Sequence, residues 1–151
     1  MARHFEGRRV VGVVLAAIAL TAVIPPAAAT MLAQWRVARA YELADAAAPL
    51  LATRRQELIA EAGAQGILCG PGRLPRGEGV GIGWVRAPVS AGAAFAGAWP
   101  QDPWGRCYLL NVESLMMTGT GLMISAGPNG TIDTAVNAAV PAGDDIGALV
   151  R

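Results

Sequence analysis

The side chains best suited to chemistry lie in the last third of the chain. Asp133, Asp144 and Asp145, with the Pro128-Asn129-Gly130 turn beside them, form a short oxygen-rich series. Carboxylates, amide oxygens and backbone carbonyls are what a hard cation such as Ca²⁺ binds, about 6–8 at a time. Asp144 and Asp145 are neighbours, and adjacent carboxylates repel unless they are solvated or share a cation. The spacing is not that of an EF-hand. The series therefore reads either as a Ca²⁺ site or as a solvated acidic loop. Pro128-Asn129-Gly130 marks a turn, because Asn-Gly accepts positive φ at both central positions and favours a hairpin.

Other chemistries are poorly served. The chain has 1 His, and it is His4, outside the expected folded part. That excludes Ser-His and Cys-His nucleophilic sites there and leaves zinc without usable ligands. No enzyme is expected. The net charge is +1, so nothing draws the whole chain to nucleic acid. The only cysteines, Cys69 and Cys107, read as a disulfide in an exported chain or as two small buried thiols.

The elements that would position these residues begin with an apolar N-terminal run. From Val10 to Trp35 no residue is charged, and Arg3, Arg8 and Arg9 precede it. One reading is a cytoplasmic tail over 1–9 and a transmembrane helix over 10–33, single-pass in the inner membrane. The other is a signal peptide cut after Ala27-Ala28-Ala29. Both place the remainder in the periplasm.

A helical stem follows over 34–64. Ala33, Val37, Ala40, Tyr41, Ala44, Ala48 and Leu51 recur at helical spacing, and Arg39 can pair with Glu42. Pro49 is expected to kink or end this helix, with a second piece over 50–62. Glycine and proline then mark loop. Strands are expected at Val80–Val85, Cys107–Val112 and Leu122–Ser125, with a weaker one at Thr131–Thr134. The segment Ala87–Pro100 reads as a surface loop. Trp84, Trp99 and Trp104 read as core, with Trp104 plugging a corner of the sheet, or else as a carbohydrate- or peptide-contacting surface. A long helix followed by a small antiparallel sheet is an α+β arrangement, with the β-domain over 65–151.

Asp102-Pro-Trp-Gly-Arg-Cys-Tyr108, Ser125-Ala-Gly-Pro-Asn-Gly130 and Gly143-Asp-Asp-Ile146 occur in the order seen in the type II secretion pseudopilin G family. The C-terminal third resembles that family's Asp-Pro-Trp-Gly, its Ser-x-Gly-x-Asp-Gly turn and its acidic stretch ending in Asp-Ile. The resemblance implies a pilin-like fold, with a long membrane-embedded helix packed on a small antiparallel sheet. It also implies assembly with itself or other pilin-like subunits into a periplasmic pseudopilus, and calcium in the C-terminal loop. The family's turn Asp falls on Asn129, and its acidic pair falls on Asp144 and Asp145. Asp133 joins them, with Ser125 and the Gly127 carbonyl as further candidates.

Three departures stand out. Gly7 is followed by Arg8-Arg9-Val10-Val11-Gly12 rather than the family's Phe-Thr-Leu-Ile-Glu. Asn129 is neutral where the family has Asp. Thr134–Ala142 lengthens the loop before the acidic pair. The function expected is a structural pseudopilin-like subunit of a type II secretion or type IV pilus-like assembly. The alternative is a soluble periplasmic binding module, or a pilus-tip adhesin-like protein, released by signal peptidase.

Overall fold

A computed structural model describes residues 26–63, 66–76, 82–85 and 88–151. The expected tail and most of the 10–33 span lie outside the described residues. Among the described residues no helix is long and apolar enough to cross a membrane. The chain divides into two units, 1–34 and 35–151. The described part of the first is helical and exposed, with Met31 and Leu32 open to solvent. The second unit holds the sheet.

Helix α1 is Pro26–Ala52 and α2 is Arg55–Ala62. Ala40, Ala44, Ala47, Ala48 and Leu51 are buried. They recur every three to four residues, the spacing of one helical face. Small alanines let the helix lie close to what it covers. Tyr41, expected on this face, stands one residue off it and is exposed. Arg39 and Glu42 form the expected surface pair at 2.9 Å. Pro49 does not end α1, which runs on to Ala52. The turn closes when the Thr53 amide donates to the Pro49 carbonyl and the Arg54 amide to that of Leu51.

The remaining elements, in chain order, are β1 (Ile67–Cys69), α3 (Ile82–Val85), β2 (Val89–Ser90), β3 (Leu109–Asn111), α4 (Val112–Thr118), β4 (Gly121–Ser125) and β5 (Ile146–Val150). They form a five-stranded sheet ordered β2-β1-β3-β4-β5. The architecture is α+β, but the sheet is mixed rather than antiparallel. β2 runs parallel to β1, and only the other pairings are antiparallel. A parallel neighbour needs a long crossover, and the connection over 70–88 is long enough to provide one.

Several expected strands fall elsewhere. Ile82–Val85 is one turn of helix, with Trp84 fully buried. Thr131–Thr134 forms no strand; Thr131 makes one isolated bridge to Arg76 while Ile132 enters the core. The Cys107–Val112 strand is shorter because Asn111 ends it. Asn111 caps α4, its side-chain oxygen accepting from the Ser114 amide at 2.9 Å. Gly119 ends α4 with φ 82°. Ala87–Pro100 is not a plain surface loop. It contains β2, a 3₁₀ turn at Ala93–Phe95, and the buried rings of Phe95 and Trp99.

The sheet separates two apolar clusters. On one face Leu68, Leu110, Met123 and Val150 meet the buried side of α1 and α2, with Tyr108, Phe95 and Trp99. The Tyr108 hydroxyl donates to the Ala40 carbonyl at 2.8 Å, tying sheet to helix. On the other face Ile67, Cys69, Cys107, Leu109, Leu122 and Ile124 pack with Trp84, Ala126 and Ile132. β4 is buried along its whole length. A strand covered on both sides has no polar face to alternate, which explains its Leu-Met-Ile run. Cys69 and Cys107 form the expected disulfide, with their Cα atoms 5.7 Å apart, within the usual span of such bonds.

Candidate functional site

The C-terminal loops are built around Asp102. Asp followed by Pro opens a turn that folds back on its own carboxylate. Asp102 Oδ1 accepts from the Trp104 amide at 2.9 Å and the Arg106 amide at 2.7 Å. Oδ2 accepts from Arg106 Nε at 3.2 Å and Ser125 Oγ at 2.7 Å. Arg106 Nη2 donates to the Gly127 carbonyl. A carboxylate this deeply buried is tolerable because every lone-pair direction has a donor and one donor is charged. The Arg106 guanidinium also lies 5.3 Å from the Trp104 ring centre, a cation–π contact. Trp104 is only partly buried, so it does not plug the sheet; the fully buried indoles are Trp84 and Trp99.

Two expected site residues belong to this knot. Ser125 Oγ donates to Asp102 and accepts from the Gly127 amide at 3.3 Å. The Gly127 carbonyl is taken by Arg106. Gly127 has φ 52°, and a Cβ there would run into the Asp144 backbone carbonyl. Glycine at this position therefore lets the Ser125–Gly130 turn touch the acidic stretch.

The turn differs from the expected hairpin. Positive φ is confined to glycines among the described residues, so Asn129 does not adopt it. The Gly130 amide instead donates to the Ala126 carbonyl at 3.0 Å. The reason is that Asn129 is held from several sides. Its amide donates to Asp144 Oδ2 at 2.9 Å, and its Oδ1 accepts from the Thr131 amide at 2.6 Å. Its Nδ2 donates to Asp144 Oδ1 at 2.5 Å and to Asp133 Oδ2 at 3.3 Å. The Asn129 amide group thus links two carboxylates.

Asp145 faces a different set of partners. Its Oδ2 accepts from the Asp133 amide, the Thr134 amide and the Thr134 hydroxyl, each at 2.7 Å. Thr134 Oγ1 in turn accepts from the Ala142 amide at 2.8 Å. This clasp closes the neck of the 134–142 loop. Asp145 Oδ1 is buried without a hydrogen-bond partner. Burial pushes the Asp145 carboxyl above the usual carboxylate range; its bonds to Thr134 and Asp133 pull the other way, and the Asp133 charge adds to the rise.

The six candidate residues therefore fall into three linked groups. Asn129, Asp133 and Asp144 converge. Asp145 closes the neighbouring loop through Thr134. Ser125 and Gly127 serve the Asp102–Arg106 knot. Among the described residues no group of three or more His, Cys, Asp or Glu side chains is arranged to hold a metal ion. Sequence reasoning missed Thr134 as the partner of Asp145 and Asp102 as a hub. Asp before Pro was a usable signal for the hub, since Asp side chains commonly bond the backbone two residues on. No family model, no curated protein and no solved structure matches this chain.

Proposed function

We propose that the chain is a pilin-like structural subunit of a type II secretion or type IV pilus-like assembly, carried at the inner membrane by its apolar N-terminal segment. The observation that supports this most directly is the joining of two motif segments. Asp102 and Arg106 of the Asp-Pro-Trp-Gly segment bond Ser125 and Gly127 of the turn. The motifs that carry the family resemblance thus make one structural unit, beside a sheet covered by an alanine-faced helix. A structural role also agrees with a site whose polar atoms, Asp145 Oδ1 apart, are spent on one another.

Calcium is the second part of the proposal. The available donors are oxygens, as a hard cation needs. Asp133 and Asp144 would hold the ion with the Asn129 side-chain oxygen, and the ion would supply charge neutralisation to the loop. Binding must displace the Asn129 Nδ2 bonds that now link the two carboxylates.

Mass spectrometry of the mature protein from a bacterial membrane fraction tests the anchored reading. A chain beginning at Arg8 supports prepilin-type processing. A chain beginning at Thr30 and recovered from the periplasm overturns it in favour of a released binding module. For calcium, excess chelator should lower the melting temperature and added calcium restore it; an unmoved transition removes the ion from the proposal.

A further inference from the structure

Asn129-Gly130 is the one place where asparagine precedes glycine in this chain; Asn111 precedes Val112 and Asn137 precedes Ala138. The fold calls for each half of the pair. Gly130 has φ 77°, and a side chain there would run into the Arg106 guanidinium and lie 3.8 Å from Arg76 Nη2. At position 129 the side chain accepts from the Thr131 amide and donates to Asp144 and Asp133. Among short side chains only asparagine's carries both an acceptor and two N–H donors. Packing therefore sets a primary amide directly before a backbone nitrogen that no side chain shields. Asn129 is also exposed, so water reaches it.

We propose that Asn129-Gly130 is a site of spontaneous deamidation, held off while the acidic loop is closed and released when it opens. The Gly130 nitrogen loses its proton to a solvent base and bonds to Asn129 Cγ. The Cγ–Nδ2 bond breaks, and Nδ2 leaves as ammonia with a proton from water. Water then opens the cyclic imide at either carbonyl, its hydroxyl going to carbon and its proton to nitrogen. The sum is amide plus water to carboxylic acid plus ammonia, and position 129 becomes aspartate or isoaspartate. In the closed loop both nitrogens are engaged. The Gly130 amide donates to the Ala126 carbonyl at 3.0 Å. Nδ2 is held by Asp144 at 2.5 Å and by Asp133 at 3.3 Å. These bonds must break before the Gly130 nitrogen can turn onto Cγ. An exposed loop opens locally at lower cost than the whole domain. The new carboxylate has no N–H to return, so the bridge between Asp133 and Asp144 does not re-form. The loop thus passes once, and one way, from closed to open. This reading depends neither on the membrane anchor nor on bound calcium.

Peptide mapping by mass spectrometry, on the full chain incubated in mild detergent at mildly alkaline pH, tests this. Position 129 should exchange the mass of an amide for that of an acid, as a mixture of aspartate and isoaspartate. Asn111 and the exposed Asn137 should keep their amides over the same period. Conversion in the folded chain should be roughly a hundredfold slower than in denaturing urea, because bonds to two carboxylates must break first. Asp144 makes two bonds to Asn129, and D144A removes both. A D144A chain with the parent's circular dichroism should convert about tenfold faster than the parent. Hydrogen exchange of the Gly130 amide needs no variant: across sub-denaturing urea, conversion should rise in step with the loss of that amide's protection. The proposal is overturned if position 129 keeps its amide once the loop is open, or if folded and unfolded chains convert at one rate. It is equally overturned if folded D144A converts no faster, or if conversion does not follow Gly130 exchange. Aspartate without isoaspartate also overturns it, since that product comes from direct hydrolysis.

Discussion

Asn129→Asp is the most informative single change in the acidic loop. Asn129 Nδ2 now donates to Asp144 at 2.5 Å and to Asp133 at 3.3 Å. Substitution removes both donors and places a third carboxylate between the other two. A hydrogen bond to a charged group contributes about 1.5–3 kcal/mol, and this exposed loop belongs at the low end. Each new like-charge pair at about 4 Å costs about 1 kcal/mol in a water-like environment. The bonds from the Asn129 and Thr131 amides can persist, which limits the loss. The expected destabilisation in chelator is about 2–4 kcal/mol. For a domain of this size that lowers the melting temperature by roughly 4–16 °C. Millimolar calcium should reverse the loss and stabilise the variant more than the parent, because the variant offers an additional carboxylate and no competing N–H. Thermal unfolding followed by circular dichroism, with chelator and with calcium, reads both effects. If N129D melts with the parent in chelator, the amide does not link the carboxylates and the reasoning fails. If it melts lower but calcium does not restore it, the bridge stands and the calcium site falls.

Three further outcomes follow from the geometry. Asp145 has its pKa raised by burial, so the folded chain holds that proton more tightly than the unfolded one. Its contribution to stability is then fullest below about pH 4 and declines as pH rises through the raised folded value. D145N should flatten that part of the urea-midpoint profile, and parallel profiles for parent and variant would refute it. D102A strands the Ser125 hydroxyl, the Arg106 guanidinium and two backbone amides, and should cost about 3–5 kcal/mol in chemical denaturation. Reducing the Cys69–Cys107 bond, which spans 38 residues, should cost about 2–4 kcal/mol. Neither thiol should alkylate before reduction, and labelling of the unreduced protein would contradict the bond.

The helical part of this fold was legible because its signals are local. Alanines every three to four residues marked the buried face of α1, and Arg39–Glu42 needed only one turn to meet. The strands were harder to read. β4 showed as an apolar run, but β1 and β2 are too short for alternation to register, and β5 lies beyond a loop whose neck depends on Thr134 meeting Asp145. Val80–Val85 had strand-like composition, yet Trp84 reaches the core from a helical turn. The candidate site shows the same division. That Asn129 and the acids belong together was readable from residue type. That Asn129 acts as a donor toward them was not, because it depends on which loops meet. Ser125 and Gly127 join the acids only through the family resemblance, whereas in the fold Asp102 and Arg106 reach them from 23 and 21 residues away.

The sheet also acts as a partition between two cores that are secured differently. The helix side is held by packing of α1 and α2 and by Tyr108 on Ala40. The opposite side, where Trp84 and Ile132 cover the strands, contains the disulfide. Units secured by different interactions open at different free energies. Under reducing conditions, amides around Trp84 and Ile132 should exchange hydrogen before those of the buried α1 face. The bond therefore matters most on the Trp84 and Ile132 face, while the helix face keeps its packing without it.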